Sequence, residues 1–83
     1  MSFFVYIVEC SDHSYYCGYT DNLTERVWEH NACKTGAKYT KARRPVKLIY
    51  SEELGSKNDA MRREAAIKKL PRKKKELLIV CGN

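Results

Sequence analysis

Apolar positions along the chain come in short runs separated by polar turns, and each run suits one element of secondary structure. The first, FFVYIVEC at residues 3–10, is almost continuously apolar and rich in β-branched and aromatic side chains, the pattern of a well-buried strand. Ser11, Asp12 and His13 form a polar break, and SYYCGYT at 14–20 reads as a second strand. So short a link makes the pair a hairpin. Asn22, with Glu25 three residues on, has the form of a capping box and predicts a helix from Leu23 to Ala32. Residues 33–41, with Gly36, read as a loop. PVKLIYSEE at 45–53 alternates, placing Val46, Leu48 and Tyr50 on one face of a third strand that Gly55 ends. Ser56 with Asp59 starts a second helix, which runs to Leu70. Pro71 breaks it and serves as the first residue of a final helix over 72–80. The order β-β-α-β-α-α describes a small α/β domain, with no internal repeat or low-complexity linker.

Length and composition narrow the class. A chain of 83 residues holds one domain, 1–83, whose core must be compact because so short a chain buries only about 60% of its unfolded surface. Hydrophobic residues at 43% and charged residues at 31% describe a folded soluble protein. No apolar run approaches the roughly 20 residues of a membrane span. The opening MSFFVYIVEC lacks a basic stretch and meets Glu9 at once, so it does not read as a signal peptide, and the cytoplasm is the expected location. Cys10, Cys17, Cys33 and Cys81 make no CxxC pair, and His13 and His30 add no ligand spacing. A zinc site is not expected, and the cysteines should be reduced thiols, Cys10 and Cys17 acting as small apolar residues.

Charge adds a direction. The net charge is +6, but residues 1–35 carry two bases against five acids, whereas 36–83 carry fourteen bases against five acids. Two runs dominate, KYTKARRPVK at 38–47 and KKLPRKKK at 68–75. Such runs are either a solvated face or the electrostatic footprint of a polyanion, of which nucleic acid is the commonest. The candidate phosphate contacts are Lys38, Lys41, Arg43, Arg44, Lys73, Lys74 and Lys75. A membrane surface is not expected, because the second run has no bulky apolar partner face.

Three features could carry chemistry. With a three-residue hairpin link, Val8 faces Tyr16 and Tyr6 faces Gly18, so Tyr6 and Tyr16 are diagonal neighbours on one sheet face and Gly18 leaves space beside the Tyr6 ring. A two-residue link would pair Tyr6 with Tyr19 instead. Arg26 and His30 stand at i and i+4 of the first helix and project from one side. Arg can bind a phosphate bidentately and His can take a proton, although a solvated helix face would look the same. Glu64 shares a helical face with Ala60 and Ile67. A carboxylate among core-facing positions needs a partner, either Arg26 or a bound divalent cation, unless it lies at an exposed edge.

Taken in order, these residues resemble the GIY-YIG nuclease superfamily, and its small stand-alone branch in particular. The first motif stands as Phe4-Val5-Tyr6 and the second as Tyr16-Cys17-Gly18; Arg26 and His30 lie in RVWEH, Glu64 in RREAAIKK, and GAKYTKARRPVKLIY resembles the corresponding stretch of the stand-alone proteins. Phe4 replaces the first Gly and Cys17 the Ile, at positions whose side chains carry no chemistry; the late Asn of many members has no counterpart except the terminal Asn83. The resemblance implies a three-stranded antiparallel sheet flanked by helices and a single-metal phosphodiesterase site. In it Tyr6 would activate water or lie beside it, and Tyr16 would orient the water or the scissile phosphate. Arg26 would neutralise the phosphate, His30 would support deprotonation, and Glu64 would hold one Mg²⁺ or Mn²⁺. The expected activity is a nuclease with little sequence preference, with DNA rather than RNA the expected substrate and a protein partner as a further source of specificity. The alternatives are a nucleic-acid binder of the same fold with weak or no catalysis, and an interaction module whose basic face meets an acidic protein.

Overall fold

The computed structural model describes residues 2–32 and 38–82. Its elements are β1 (Phe3–Glu9), β2 (Tyr15–Thr20), α1 (Leu23–Ala32), α2 (Lys38–Lys41), β3 (Lys47–Leu54), α3 (Lys57–Lys68) and α4 (Arg72–Gly82). The strands form one antiparallel sheet in the order β2-β1-β3. Val5, Tyr6, Ile7 and Val8 of the central β1 are all buried, because both faces of the sheet are covered. On one face Val5, Ile7, Cys17 and Tyr50 pack with Ala60 and Ile67 of α3 and with Leu78 and Ile79 of α4. On the other, Tyr6, Val8, Cys10 and Val46 pack with Leu23 and Val27 of α1. Cys10 and Cys17 are buried free thiols within these layers, as their strand positions predict. No helix among the described residues is long and apolar enough to cross a membrane.

The hairpin has the three-residue link. Tyr6 pairs with Gly18 and Val8 with Tyr16. His13 closes the loop in the left-handed region, at φ 67°, where a three-residue hairpin loop places its last residue. The predicted caps are present: Asn22 Oδ1 accepts from Glu25 N at 3.1 Å, and Ser56 Oγ accepts from Asp59 N at 3.2 Å. At the last helix the expectation shifts by one residue. Pro71 precedes α4, and its carbonyl accepts the first helical bond from Lys75 N at 3.1 Å, which makes Pro71 the cap and not the first helical residue.

Two segments differ from the sequence reading. In β3, Ile7 pairs with Tyr50 but Val8 pairs with Leu48, so Ile49 is an extra residue in the ladder. This bulge puts Leu48 and Tyr50 on opposite faces, and Val46 joins the layer opposite Tyr50. The three therefore do not share a face. The stretch read as a loop over 33–41 ends in α2; its first five positions, from Cys33 through Gly36 to residue 37, lie outside the described residues. Four residues cannot hold a helix by propensity. Here tertiary contacts hold it: Thr40 is fully buried against α1, and Tyr39 stacks on Tyr16 with ring centroids 5.8 Å apart.

Candidate active site

The Tyr6 hydroxyl is the centre of a chain of polar groups on the α1 face of the sheet. Its alternation in β1 points it towards α1, where Arg26 and His30 stand one turn apart. The Arg26 Nε donates to the Tyr6 oxygen at 3.4 Å, and the Tyr6 hydroxyl lies 2.7 Å from His30 Nε2. On the other side of the ring, His30 Nδ1 lies 2.8 Å from Thr40 Oγ1. Since Tyr6 already receives a proton from Arg26, the chain is satisfied when Tyr6 donates to Nε2 and Nδ1–H donates to Thr40; this assigns the histidine tautomer. Tyr6 is 1% exposed, and His30 and Thr40 are fully buried. A solvated face for Arg26 and His30 is thus excluded. The Tyr16 ring meets the His30 ring edge-on at 5.3 Å.

This chain opens on a pocket of about 310 Å³ lined by Tyr6, Tyr16, Gly18, Tyr19, Arg26 and Glu64. Four of the five predicted catalytic residues share it, with His30 directly behind Tyr6. The pocket straddles β2, an edge strand: Tyr6 and Tyr16 belong to the α1 layer, whereas Glu64 comes from α3 on the opposite face. Gly18 sits where the two sides meet. A β carbon there would lie 2.5 Å from Tyr6 Oη and 2.8 Å from Cζ, so the space expected beside Gly18 is filled by the Tyr6 ring itself. The Glu64 side chain is 19% exposed, an edge position and not a core one. Its partner is Lys68 Nζ at 3.5 Å. Arg26, one of the two partners the sequence allows for Glu64, turns instead to Tyr6 and to Glu29 Oε1 at 3.1 Å.

Burial dominates the electrostatics. It pushes the Tyr6 phenol up to about 12, and the bond and positive charge of Arg26 only partly oppose it. It pulls His30 down to about 4, with the Arg26 charge adding to the effect, so this imidazole is neutral at pH 7. Burial works against the Arg26 charge, yet the bonds to Tyr6 and Glu29 hold its pKa above the ordinary value. Cys17 is pushed up to about 11 by burial and then by the Glu64 charge, so it remains a thiol. Among the described residues no group of three or more His, Cys, Asp or Glu could hold a metal. A half-buried carboxylate with only a long lysine contact suits a hard cation that keeps most of its waters, as Mg²⁺ or Mn²⁺ does, and does not suit zinc.

The predicted phosphate contacts divide into two kinds. Lys41, Lys73 and Lys74 are exposed, while Lys75 is half-buried and its charge acts on Cys17. The Lys38 side chain lies outside what the structure describes. Arg43 and Arg44 have internal partners. Arg43 donates to Asp12 Oδ2 at 3.0 Å and to the Tyr39 carbonyl at 2.9 Å, with its guanidinium 4.0 Å from the Tyr39 ring centre. Arg44 donates to the Glu29 and His30 carbonyls, closing the C-terminal end of α1. These two arginines clamp α2 and α1 around His30. Sequence reasoning missed Thr40, Asn31 and Lys68. The Asn31 amide bridges both backbone groups of Val46, at 2.7 and 3.0 Å. A neutral hydroxyl inside the basic KYTKARR run was the available signal for Thr40.

Comparison with known proteins gives the family and the fold. The chain matches the family model described as the GIY-YIG catalytic domain over residues 2–76. It is 57% identical over 76 residues to the UPF0213 protein YazA of Bacillus subtilis, which covers 92% of this chain and 76% of that protein. A UPF0213 protein of Halobacterium salinarum is 55% identical over 74 residues, covering 89% of this chain and 95% of the relative. The solution NMR structure of the UPF0213 protein BH0048 from Bacillus halodurans superposes with a TM-score of 0.62 at 45% identity, over 96% of this chain and 84% of that one. That of EF2693 from E. faecalis gives 0.64 at 44% identity, over 95% and 83%. A family match that runs from β1 into α4, shared with relatives of the same fold at such identity, makes this chain a member of the GIY-YIG family.

Proposed function

We propose that the protein is a divalent-metal-dependent phosphodiesterase that cleaves nucleic acid, with DNA the expected substrate and little sequence preference. GIY-YIG domains are nuclease-type catalytic domains, and the observation that carries the reading is the Tyr6 hydroxyl, bonded to Arg26 and to His30 at the wall of a pocket that also holds Glu64. A binding module needs cations but has no use for a buried tyrosine–histidine pair. In this reading Tyr6 relays a proton. Its phenol, raised to about 12, is no free base at neutral pH. It passes its own proton to the unprotonated His30 as it receives one from the attacking water, so a free phenolate never has to accumulate. Thr40 keeps His30 Nε2 open as the acceptor. Arg26 neutralises a phosphate oxygen, and Tyr16 orients the phosphate or the water from the neighbouring strand position. Glu64 would hold one Mg²⁺ or Mn²⁺, which supplies Lewis-acid stabilisation of the charge on the leaving oxygen. Exposed Lys41, Lys73 and Lys74 would bind the backbone further away.

The test compares the protein with Glu64→Gln on labelled duplex, branched and single-stranded DNA and on RNA, in Mg²⁺, Mn²⁺ and EDTA. Cleavage is expected for the native protein with metal only, and is expected to vanish in the variant while the circular dichroism spectrum is unchanged. Equal cleavage by both would mean that a contaminant cuts, and the binder of the same fold would take the place of the nuclease.

A further inference from the structure

Lys68, the last residue of α3, stands one turn beyond Glu64 and reaches around the edge of the sheet. Its Nζ is 3.5 Å from Glu64 Oε1 and 6.0 Å from the centre of the Tyr16 ring. Both distances are long: a tight ammonium–carboxylate bond measures about 2.7–2.9 Å, and about 6 Å is the outer limit of a cation–π contact. The side chain is 51% exposed. An exposed pair of this kind contributes little. Lys68 is thus a weakly held ammonium between the carboxylate of the pocket and the tyrosine proposed to orient the phosphate. Facing it across β2 is Arg26, which is bound to Tyr6 and Glu29.

We propose that Lys68 is an exchangeable counter-ion of the site: it neutralises Glu64 in the metal-free protein, and once that carboxylate serves a divalent cation the ammonium binds the substrate phosphate beside Tyr16. The proposal rests on the phosphodiesterase reading and extends it to the charge balance of the cleft. Glu64 and Lys68 cancel in the metal-free state, so the empty cleft is close to neutral and holds nucleic acid weakly. With Glu64 committed to a dication, Lys68 is released and the cleft becomes strongly positive. A phosphodiester, and still more its doubly charged transition state, then balances it. The flexible stem and three donors of a lysine suit such an exchange better than an arginine fork would. Metal and nucleic acid therefore bind with positive coupling, through one side chain.

The decisive measurement needs no turnover. Mn²⁺ binding is followed by electron paramagnetic resonance for the native protein, Lys68→Met and Glu64→Gln. Lys68→Met is expected to tighten Mn²⁺ roughly two- to fivefold, the worth of an exposed pair. Glu64→Gln is expected to abolish binding. Fluorescence anisotropy with a labelled single-stranded oligonucleotide, in a Tyr6→Phe background with Mn²⁺, should then show Lys68→Met binding more weakly, its salt slope lower by about 0.7 for the lost phosphate contact. In EDTA the same substitution should leave the slope unchanged. A surface pair with no role in the site would move neither measurement. If Glu64→Gln abolishes Mn²⁺ binding but Lys68→Met alters neither Mn²⁺ nor the oligonucleotide, the exchange is wrong and the nuclease reading stands. If Glu64→Gln binds Mn²⁺ like the native protein, both fall.

Discussion

The two faces of the sheet are packed by different rules. Towards α3 and α4 the layer is apolar, with Val5, Ile7, Ala60 and Ile67 fully buried. Towards α1 and α2 an equally buried layer contains the phenol of Tyr6, the imidazole of His30 and the hydroxyl of Thr40. The first face gains free energy from removing carbon from water, at about 25 cal/mol per Å². The second gains less, because each polar group gives up water for one partner, and its satisfied chain contributes only about 0.5–1.5 kcal/mol per bond. The difference teaches where each kind of mutation should act: one face holds the protein together, and the other holds a hydrogen-bonded chain of side chains in one arrangement.

The comparison breaks most sharply in turnover. Tyr6→Phe should lower kcat by about 10²–10⁴-fold, the worth of general-base help. Gly18→Ala should do the same by displacing the ring, since the new methyl would sit 2.5 Å from Tyr6 Oη. Ile67→Ala on the other face should instead cost about 2–5 kcal/mol of stability in urea unfolding, while turnover per folded molecule is kept. A turnover loss of equal size in Ile67→Ala would show that the faces are not separable.

Smaller effects sharpen it. Thr40→Val keeps the shape but leaves His30 Nδ1–H unpaired, a cost of about 1–3 kcal/mol that should appear as a roughly 10- to 100-fold fall in kcat, with Thr40→Ser restoring the rate. Loss of folding without loss of rate would make Thr40 a packing residue only.

Acid titration probes the same layer. His30 is depressed in the folded state to about 4, below the ordinary value of 6.5. The unfolded chain therefore takes up the proton first. The contribution of neutral His30 is complete above pH 6.5 and is lost as pH falls through about 4. Urea midpoints should decline across that window in the native protein and decline less in His30→Gln; parallel curves would contradict the buried neutral imidazole. The smallest effect belongs to the outer surface. Lys73→Gln with Lys74→Gln should lower the salt slope of duplex binding by about 0.9 per lost contact and leave kcat at saturation unchanged. An unaltered slope would assign both lysines to solvent.

Local signals made much of this legible. A three-residue link at Ser11, Asp12 and His13, one of the two the sequence allows, brings Tyr6 opposite Gly18, and the structure has that register. The i, i+4 spacing brought Arg26 and His30 together in the same way. What stayed hidden depends on contacts distant in sequence. The bulge at Ile49 leaves no trace in a period-two pattern, so Val46, Leu48 and Tyr50 looked like one face. Helix α2 is too short to announce itself, and Thr40 was lost with it. Arg43 and Arg44 stood in a basic run that reads as a footprint, but Asp12 is 31 positions from Arg43 and no pattern within the run shows that the two meet. Glu64 was recognised by its helical face, whereas its actual neighbour Lys68 looked like one more solvated cation.

An unpaired strand edge rich in aromatic residues is normally a hazard, because another chain can add to it and start aggregation. Strand β2, YYCGYT, has that composition and lies at the edge of its sheet. Placing the cleft there changes its character. Arg26 and Glu64 flank it at the pocket, the Lys68 ammonium lies off the Tyr16 ring, and Arg72 covers Tyr15 with its guanidinium 4.1 Å from the ring centre. A second strand approaching this edge would have to strip water from charges on both sides, and Gly18 offers it no side chain to pack against. The charged groups along this edge oppose the joining of copies sheet to sheet, and neutralising them should cost solubility.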